Sequence, residues 1–197
     1  MADGLPPPAW RPTITAAAAL AWLATVAAGF AAWGAYDATP GPRADGVVAA
    51  EPAGPAWTLT LYAHPHCPCT RASLAELAEL ARALPPGAEV RVAFVRPAGT
   101  AAGWERTASW DEAAAIPGVR VRCDAGGAEA ARAGATTSGH AVLADAAGRV
   151  AFRGGLTRGR GRAGESAGWR AVLEIVAGGM AEGEAPVFGC PLADRPG

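Results

Sequence analysis

Trp57-Thr-Leu-Thr-Leu-Tyr-Ala-His-Pro-His-Cys-Pro-Cys-Thr-Arg-Ala-Ser73 is the stretch on which the fold turns. From Trp57 to Tyr62 apolar and polar residues alternate, the period of a strand. From Thr70 to Leu84 the residues Leu74, Leu77, Leu80, Ala81 and Leu84 form an apolar stripe at helical spacing, which Pro85-Pro-Gly87 ends. Between strand and helix stand Cys67 and Cys69, two of the four cysteines, with His64 and His66, two of the three histidines. A sulfur at such a junction meets the unpaired N–H groups and positive end of a helix. Its thiolate is favoured there, making it a better nucleophile or soft-metal ligand near neutral pH.

Working outward, Glu89-Val-Arg-Val-Ala-Phe-Val95 reads as a second strand, parallel to the first if the helix is a crossover. A looser helix is expected around Glu105 to Ala115, a short strand at Val119 to Cys123 and a small helix near Gly127 to Ala133. Ala141 to Ala144 and Val150 to Phe152 flank Asp145-Ala-Ala-Gly148, a hairpin signal with glycine at the turn. The last helix, Ser166 to Ala177, carries Trp169, Val172, Leu173 and Val176 on one face. The expected class is α/β, a central mixed sheet flanked by helices.

Toward the N-terminus, Thr13 to Tyr36 contains no charged residue. About 24 residues at ~1.5 Å each give about 36 Å, enough to cross a hydrocarbon core of about 30 Å. Trp10, Trp33 and Tyr36 fit interfacial positions at its ends. A cleaved signal has a shorter apolar region and a basic start, whereas this start holds Asp3 and a single Arg11, so the segment is read as an uncleaved anchor. The expected organisation is a tail over 1–12, a transmembrane helix over 13–36, a Pro/Gly/Ala-rich linker over 37–55 and a domain over 56–197. Arg11 and Arg43 balance, so flanking charge leaves the orientation open. A close cysteine pair suits an oxidising compartment, placing the anchor in a bacterial inner membrane and the C-terminal domain in the periplasm.

The chain has 197 residues and a formal net charge of -1, and its scattered basic residues are all Arg. Nucleic acid is therefore not an expected partner. The expected partners are the membrane, through the N-terminal helix, and a protein or small molecule bearing a thiol or disulfide.

Several motifs resemble the thioredoxin-like superfamily, in particular its membrane-anchored RedB-like branch: His64-Pro-His-Cys-Pro-Cys-Thr-Arg-Ala-Ser73, Gly134-Ala-Thr-Thr-Ser-Gly-His140, Asp145-Ala-Ala-Gly-Arg149, Phe152-Arg-Gly-Gly155 and Val187-Phe-Gly-Cys-Pro-Leu192. The resemblance runs from about Trp57 to Leu192 and implies a thioredoxin-like fold with a segment inserted before the hairpin. Laid on the family's Cys-x-x-Cys motif, Cys67 takes the nucleophile position and Thr70 replaces the second cysteine, leaving Cys-x-Cys. Ser138-Gly139 stands where the family has a residue followed by cis-proline, which packs beside the active sulfurs, helps present backbone to a substrate and disfavours metal capture.

Three chemistries follow. As a thiol–disulfide oxidoreductase, Cys67 attacks, Cys69 resolves, His66 and the helix start lower the thiolate pKa, and no cofactor is needed. A Cys67–Cys69 bond closes a smaller ring than Cys-x-x-Cys, and a strained disulfide is the more oxidising one. As a copper-binding assembly factor, Cys67 and Cys69 hold Cu(I), a soft ion, with His140, since copper chaperones of this fold bring a histidine from near the hairpin. As a thiol peroxidase, Cys67-Pro-Cys-Thr70 has the Cys-x-x-Thr spacing of glutathione peroxidases, but their Gln and Asn partners have no counterpart, because the chain lacks both residues. Peroxiredoxins want a threonine three residues before their cysteine, where His64 stands. Cys123 is expected as a buried apolar residue. Cys190 stands either as its structural partner or as a distant resolving thiol. Arg158, Arg160 and Arg162 read as a solvated Gly-rich loop.

Overall fold

The computed structural model describes residues 10–42 and 56–193, in two compact units, Met1–Thr39 and Pro40–Gly197. The first is α1 (Trp10–Ala38), whose stretch Ile14–Ala38 is long and apolar enough to cross a membrane. Leu20, Trp22, Leu23, Phe30 and Trp33 are all exposed on it. An apolar surface of that extent belongs against lipid or another apolar surface. Of the expected tail, residues 1–9 lie outside the described residues, as do residues 43–55 of the expected linker.

The second unit follows the alternation read from the sequence. Its strands are β1 (Thr58–Ala63), β2 (Glu89–Arg96), β3 (Val119–Ala125), β4 (His140–Ala144) and β5 (Val150–Gly155), and its helices are α2 (Thr70–Ala83), α3 (Ala108–Ala114), α4 (Ala128–Arg132) and α5 (Ala167–Val176). The sheet order is β3-β2-β1-β4-β5. The first three strands run parallel, with Leu61 opposite Val92 and Phe94 opposite Cys123, while β4 is antiparallel to β1 and β5 to β4. A helical crossover after β1 makes the parallel pair, and a tight turn at Asp145, whose carboxylate accepts from the Ala147 and Arg149 N–H groups, makes the antiparallel one.

The main core joins Leu59, Leu61, Val92 and Phe94 of the sheet to Leu74, Leu77 and Leu80 of α2, Trp110 of α3 and Val172 of α5. A smaller core on other sheet positions gathers Tyr62, Ala93, Val95, Val142, Ala130 of α4 and Leu192 of the C-terminal tail. That tail enters the main core at Ala185 and the smaller one at Leu192, so it threads from one to the other. Each fully buried leucine or valine contributes about 1.5–3 kcal/mol, which holds the tail in place without regular structure.

Two expectations shift. The helix expected from Glu105 begins at Ala108, because Thr107 is extended and its hydroxyl donates to Pro65 O (3.0 Å), while Glu105 turns inward toward Arg96. The globular unit begins before Ala56: Gly41 N–H donates to Val187 O (2.8 Å), and the Thr136 hydroxyl donates to Pro42 O (2.5 Å).

Candidate functional site

The Cys motif forms the turn between β1 and α2. Cys67 N–H donates to His64 O (3.1 Å) and Thr70 N–H to Cys67 O (3.0 Å), while Cys69 occupies the N-cap of α2. The Thr70 hydroxyl also donates to His64 O (3.0 Å). Behind this turn sits Ser138, whose Oγ accepts from His64 N–H (2.9 Å) and lies 3.2 Å from Thr70 Oγ1. Gly139 follows with φ of +92°, a conformation closed to proline, whose ring fixes φ near about −65°. A Cβ there would also stand 2.8 Å from Ser73 Oγ.

Residues from the far end of the chain complete the site. Ser138 N–H donates to Cys190 O (2.8 Å) and Leu192 N–H to Thr136 O (2.9 Å), with Thr137 and Pro191 forming an antiparallel bridge between them. Gly189 passes so close that a Cβ on it would stand 2.0 Å from Ser138 O. The segment is a short strap, buried at Val187 and Leu192 on either side of Cys190. It brings Cys190 Sγ to 2.9 Å from Cys67 Sγ. Cys190 is therefore the neighbour of Cys67, whereas Cys123 lies on the edge strand β3 beside Glu105 and Arg96.

Burial pushes the Cys67 thiol up, but hydrogen bonds from the Cys190 thiol and N–H, the Cys69 N–H and the Ser138 hydroxyl outweigh it and leave the pKa below its ordinary value. The other two sulfurs shift oppositely. Burial, then the hydrogen bond to Cys67, then its negative charge raise Cys190 to about 12. Cys69 is raised by burial, then by the Cys67 charge, against the lowering effects of Arg160 and the Gly161 N–H. One sulfur carries the charge and two thiols point protons at it, the arrangement a nucleophilic or leaving thiolate needs.

The remaining expected residues are placed as follows. His66 is exposed, its ring 4.4 Å from that of Trp104 and its Nε2 3.2 Å from Trp104 O, and the His64 ring meets Trp104 edge-on at 5.4 Å. No histidine is among the leading causes of the three thiol shifts, so the help expected from His66 comes instead from thiol, amide and hydroxyl donors. His140 is buried at the start of β4, where its backbone N–H donates to Thr137 O (3.2 Å). Among the described residues no group of three or more His, Cys, Asp or Glu side chains is placed to hold a metal ion.

Arg160 was expected in a solvated loop. It is instead half-buried against the site: its Nη1 donates to Gly189 O and its charge acts on both Cys69 and Cys190. Gly164 N–H, donating to the buried Glu76 carboxylate of α2 (2.5 Å), ties this loop down. Sequence reasoning missed Arg160 and Trp104. The available signal was topological, because loops that follow β2 and β5 can return to the end of the sheet where the motif leaves β1.

No protein-family model and no curated protein matches the chain. Among solved structures it is similar to an uncharacterized conserved protein from Geobacillus kaustophilus, with a TM-score of 0.58 and 17% identity over 81% of this chain and 94% of that one. It is also similar to a hypothetical protein from Sinorhizobium meliloti 1021, with a TM-score of 0.57 and 20% identity over 81% of this chain and 96% of that one. At such identities the likeness is one of fold alone.

Proposed function

We propose that the chain is a membrane-anchored thiol–disulfide oxidoreductase of thioredoxin-like fold, acting on protein or small-thiol disulfides with Cys67 as nucleophile. Its domain faces the periplasm of a bacterial inner membrane, where the thiols can be oxidised. The observation that carries the reading is the Cys67 sulfur held 2.9 Å from a second thiol and stabilised as a thiolate by surrounding donors. Cys67 attacks one sulfur of a partner disulfide, forms a mixed disulfide and expels the other sulfur as a thiolate. A second thiol of this chain, Cys69 or Cys190, then attacks Cys67 Sγ and releases the partner reduced by two electrons. The sheet order and the Cys motif between β1 and α2 support the thioredoxin-like assignment, and the exposed apolar α1 supports the anchor.

The Cu(I) alternative would hold the metal with Cys67, Cys69 and His140, and so competes for the sulfur that Cys190 approaches. Two thiolates on one tetrahedral metal at about 2.3 Å each sit about 3.8 Å apart. Cys67 and Cys190 are closer than that, a spacing that suits sulfur–sulfur chemistry before any rearrangement. Redox titration of the full chain in detergent micelles tests the choice. A reversible two-electron couple, lost in Cys67→Ala and kept in His140→Ala, is expected. Tight one-to-one Cu(I) binding weakened by His140→Ala, with no such couple, would replace this reading by the copper one.

A further inference from the structure

The three sulfurs differ in access. Cys67 is 3% exposed, while Cys69 and Cys190 are both half-buried. Cys190 reaches Cys67 from the strap at 2.9 Å, and Cys69, two residues on at the N-cap of α2, acts on the Cys67 sulfur through its N–H and its thiol. The central sulfur is thus the least accessible of the three. A single cation, Arg160, acts on both outer sulfurs and is fixed by its bond to Gly189 O beside Cys190.

We propose that Cys67 is shared by two alternative disulfides, Cys67–Cys190 and Cys67–Cys69, and that exchange between them hands the bond from the strap to the helix start. The inference rests on the oxidoreductase reading and says which thiols of this chain serve it. In the exchange, Cys69 gives its proton to solvent and its thiolate attacks Cys67 Sγ. The Cys67–Cys69 bond forms, the Cys67–Cys190 bond breaks, and Cys190 leaves as a thiolate that takes up a proton. No electrons are gained or lost. Arg160 suits both directions: the Cys69 thiolate must be stabilised before the attack and the Cys190 thiolate after it, and the charge of the same guanidinium, held on Gly189 O, favours each.

The two disulfides are not equivalent. Cys67–Cys190 joins chain segments that the fold already holds together, with buried Val187 and Leu192 on either side, and so it is the resting form. Cys67–Cys69 closes the small, strained ring and is the more oxidising form. Its outer sulfur stands at the half-exposed start of α2, next to exposed His66 and Pro68. Handing the bond over therefore puts the more reactive disulfide at the half-exposed start of α2, where a partner thiol attacking Cys67 Sγ would expel Cys69.

The test is disulfide mapping of the full chain in detergent micelles, equilibrated in dithiothreitol redox buffers, quenched with acid and digested with trypsin. Cys67 and Cys69 share one tryptic peptide and Cys190 lies on another, so an intrapeptide and an interpeptide bond report the two forms separately. Expected are both linkages in the wild-type chain, with Cys67–Cys190 in excess by about tenfold or more. Cys190→Ser should retain a reversible couple, more oxidising than the wild type and carried by Cys67–Cys69, whereas Cys69→Ser should retain Cys67–Cys190 alone. Finding only Cys67–Cys190 in the wild-type chain at every poise, together with no couple in Cys190→Ser, overturns the handover and leaves the oxidoreductase reading standing. Absence of any couple in the wild-type chain overturns both. The wild-type mapping needs no variant to fold.

Discussion

Cys67 and Cys123 place the same side chain in opposite surroundings. Both stand on or just after parallel strands, and burial by itself raises both pKa values. At Cys67 the neighbours are donors: two thiols, two backbone N–H groups and the Ser138 hydroxyl. At Cys123 the neighbour is a carboxylate, Glu105, whose charge adds to burial and which accepts the thiol proton. One site therefore favours the thiolate and the other the thiol. The lesson is that whether donors or acceptors surround a sulfur drawn out of water decides its reactivity, and burial alone does not.

The largest test of that contrast is alkylation of the reduced full chain at pH 7 by a small reagent, read by mass spectrometry. Cys67 is expected to react about tenfold or more faster than Cys123, because only the thiolate attacks. The sign with pH follows from the two directions. The lowered pKa of Cys67 keeps its rate high below the ordinary thiol value of about 8.5, falling only as pH drops through the lowered value, whereas Cys123 gains rate only above about 8.5. Equal rates with one shared inflection would erase the contrast.

Removing the strongest donor comes next. Cys190→Ala should slow Cys67 alkylation at pH 6 by about tenfold and move its inflection upward. Ser138→Ala removes a weaker donor and should slow it about threefold, at a stability cost of about 1 kcal/mol for the bond from His64 N–H, read by thermal unfolding. An unchanged inflection in Cys190→Ala would show that the thiol pair does not set the reactivity of Cys67. The smallest effect is expected on the other side: Glu105→Gln removes a negative charge and should speed Cys123 alkylation at pH 8 about twofold, leaving Cys67 unchanged.

How much of this could be read in advance differs between regions. The alternation from Trp57 to Tyr62 and the stripe Leu74, Leu77, Leu80 fixed β1 and α2 to within a residue or two, because both elements bury one face and the period records it. The parallel pairing of β1 and β2 and the hairpin of β4 and β5 followed from crossover length and turn chemistry. The location of the thiol site was legible for the same reason. Its membership was legible in part: Thr70, Ser138 and Gly139 were expected there, but Cys190 was left open between Cys123 and the active site. Residues 185–192 carry no period, since the strap is held by backbone bonds to Thr136 and Ser138 and by isolated buried side chains, so nothing local tied Cys190 to Cys67. Arg160 was hidden likewise, in a Gly-Arg alternation that reads as solvated until the tail supplies Gly189 O. Glu105 looked like the first turn of a helix. Its inward turn toward Arg96 and Cys123 depends on a partner strand that no local pattern names.

The strap has a mechanical consequence. Cys67 and Cys190 are 123 residues apart in the chain, and bonding them closes almost the whole domain into one covalent loop, whereas a bond from Cys67 to Cys69 closes almost none. On chain-entropy grounds the long loop stabilises the folded state by about 5 kcal/mol. The oxidised domain is thus expected to resist heat and proteases in proportion to how much of it carries the long link. Its durability becomes a readout of where the bond sits: each reduction, or each handover to the short ring, leaves the fold briefly easier to unravel.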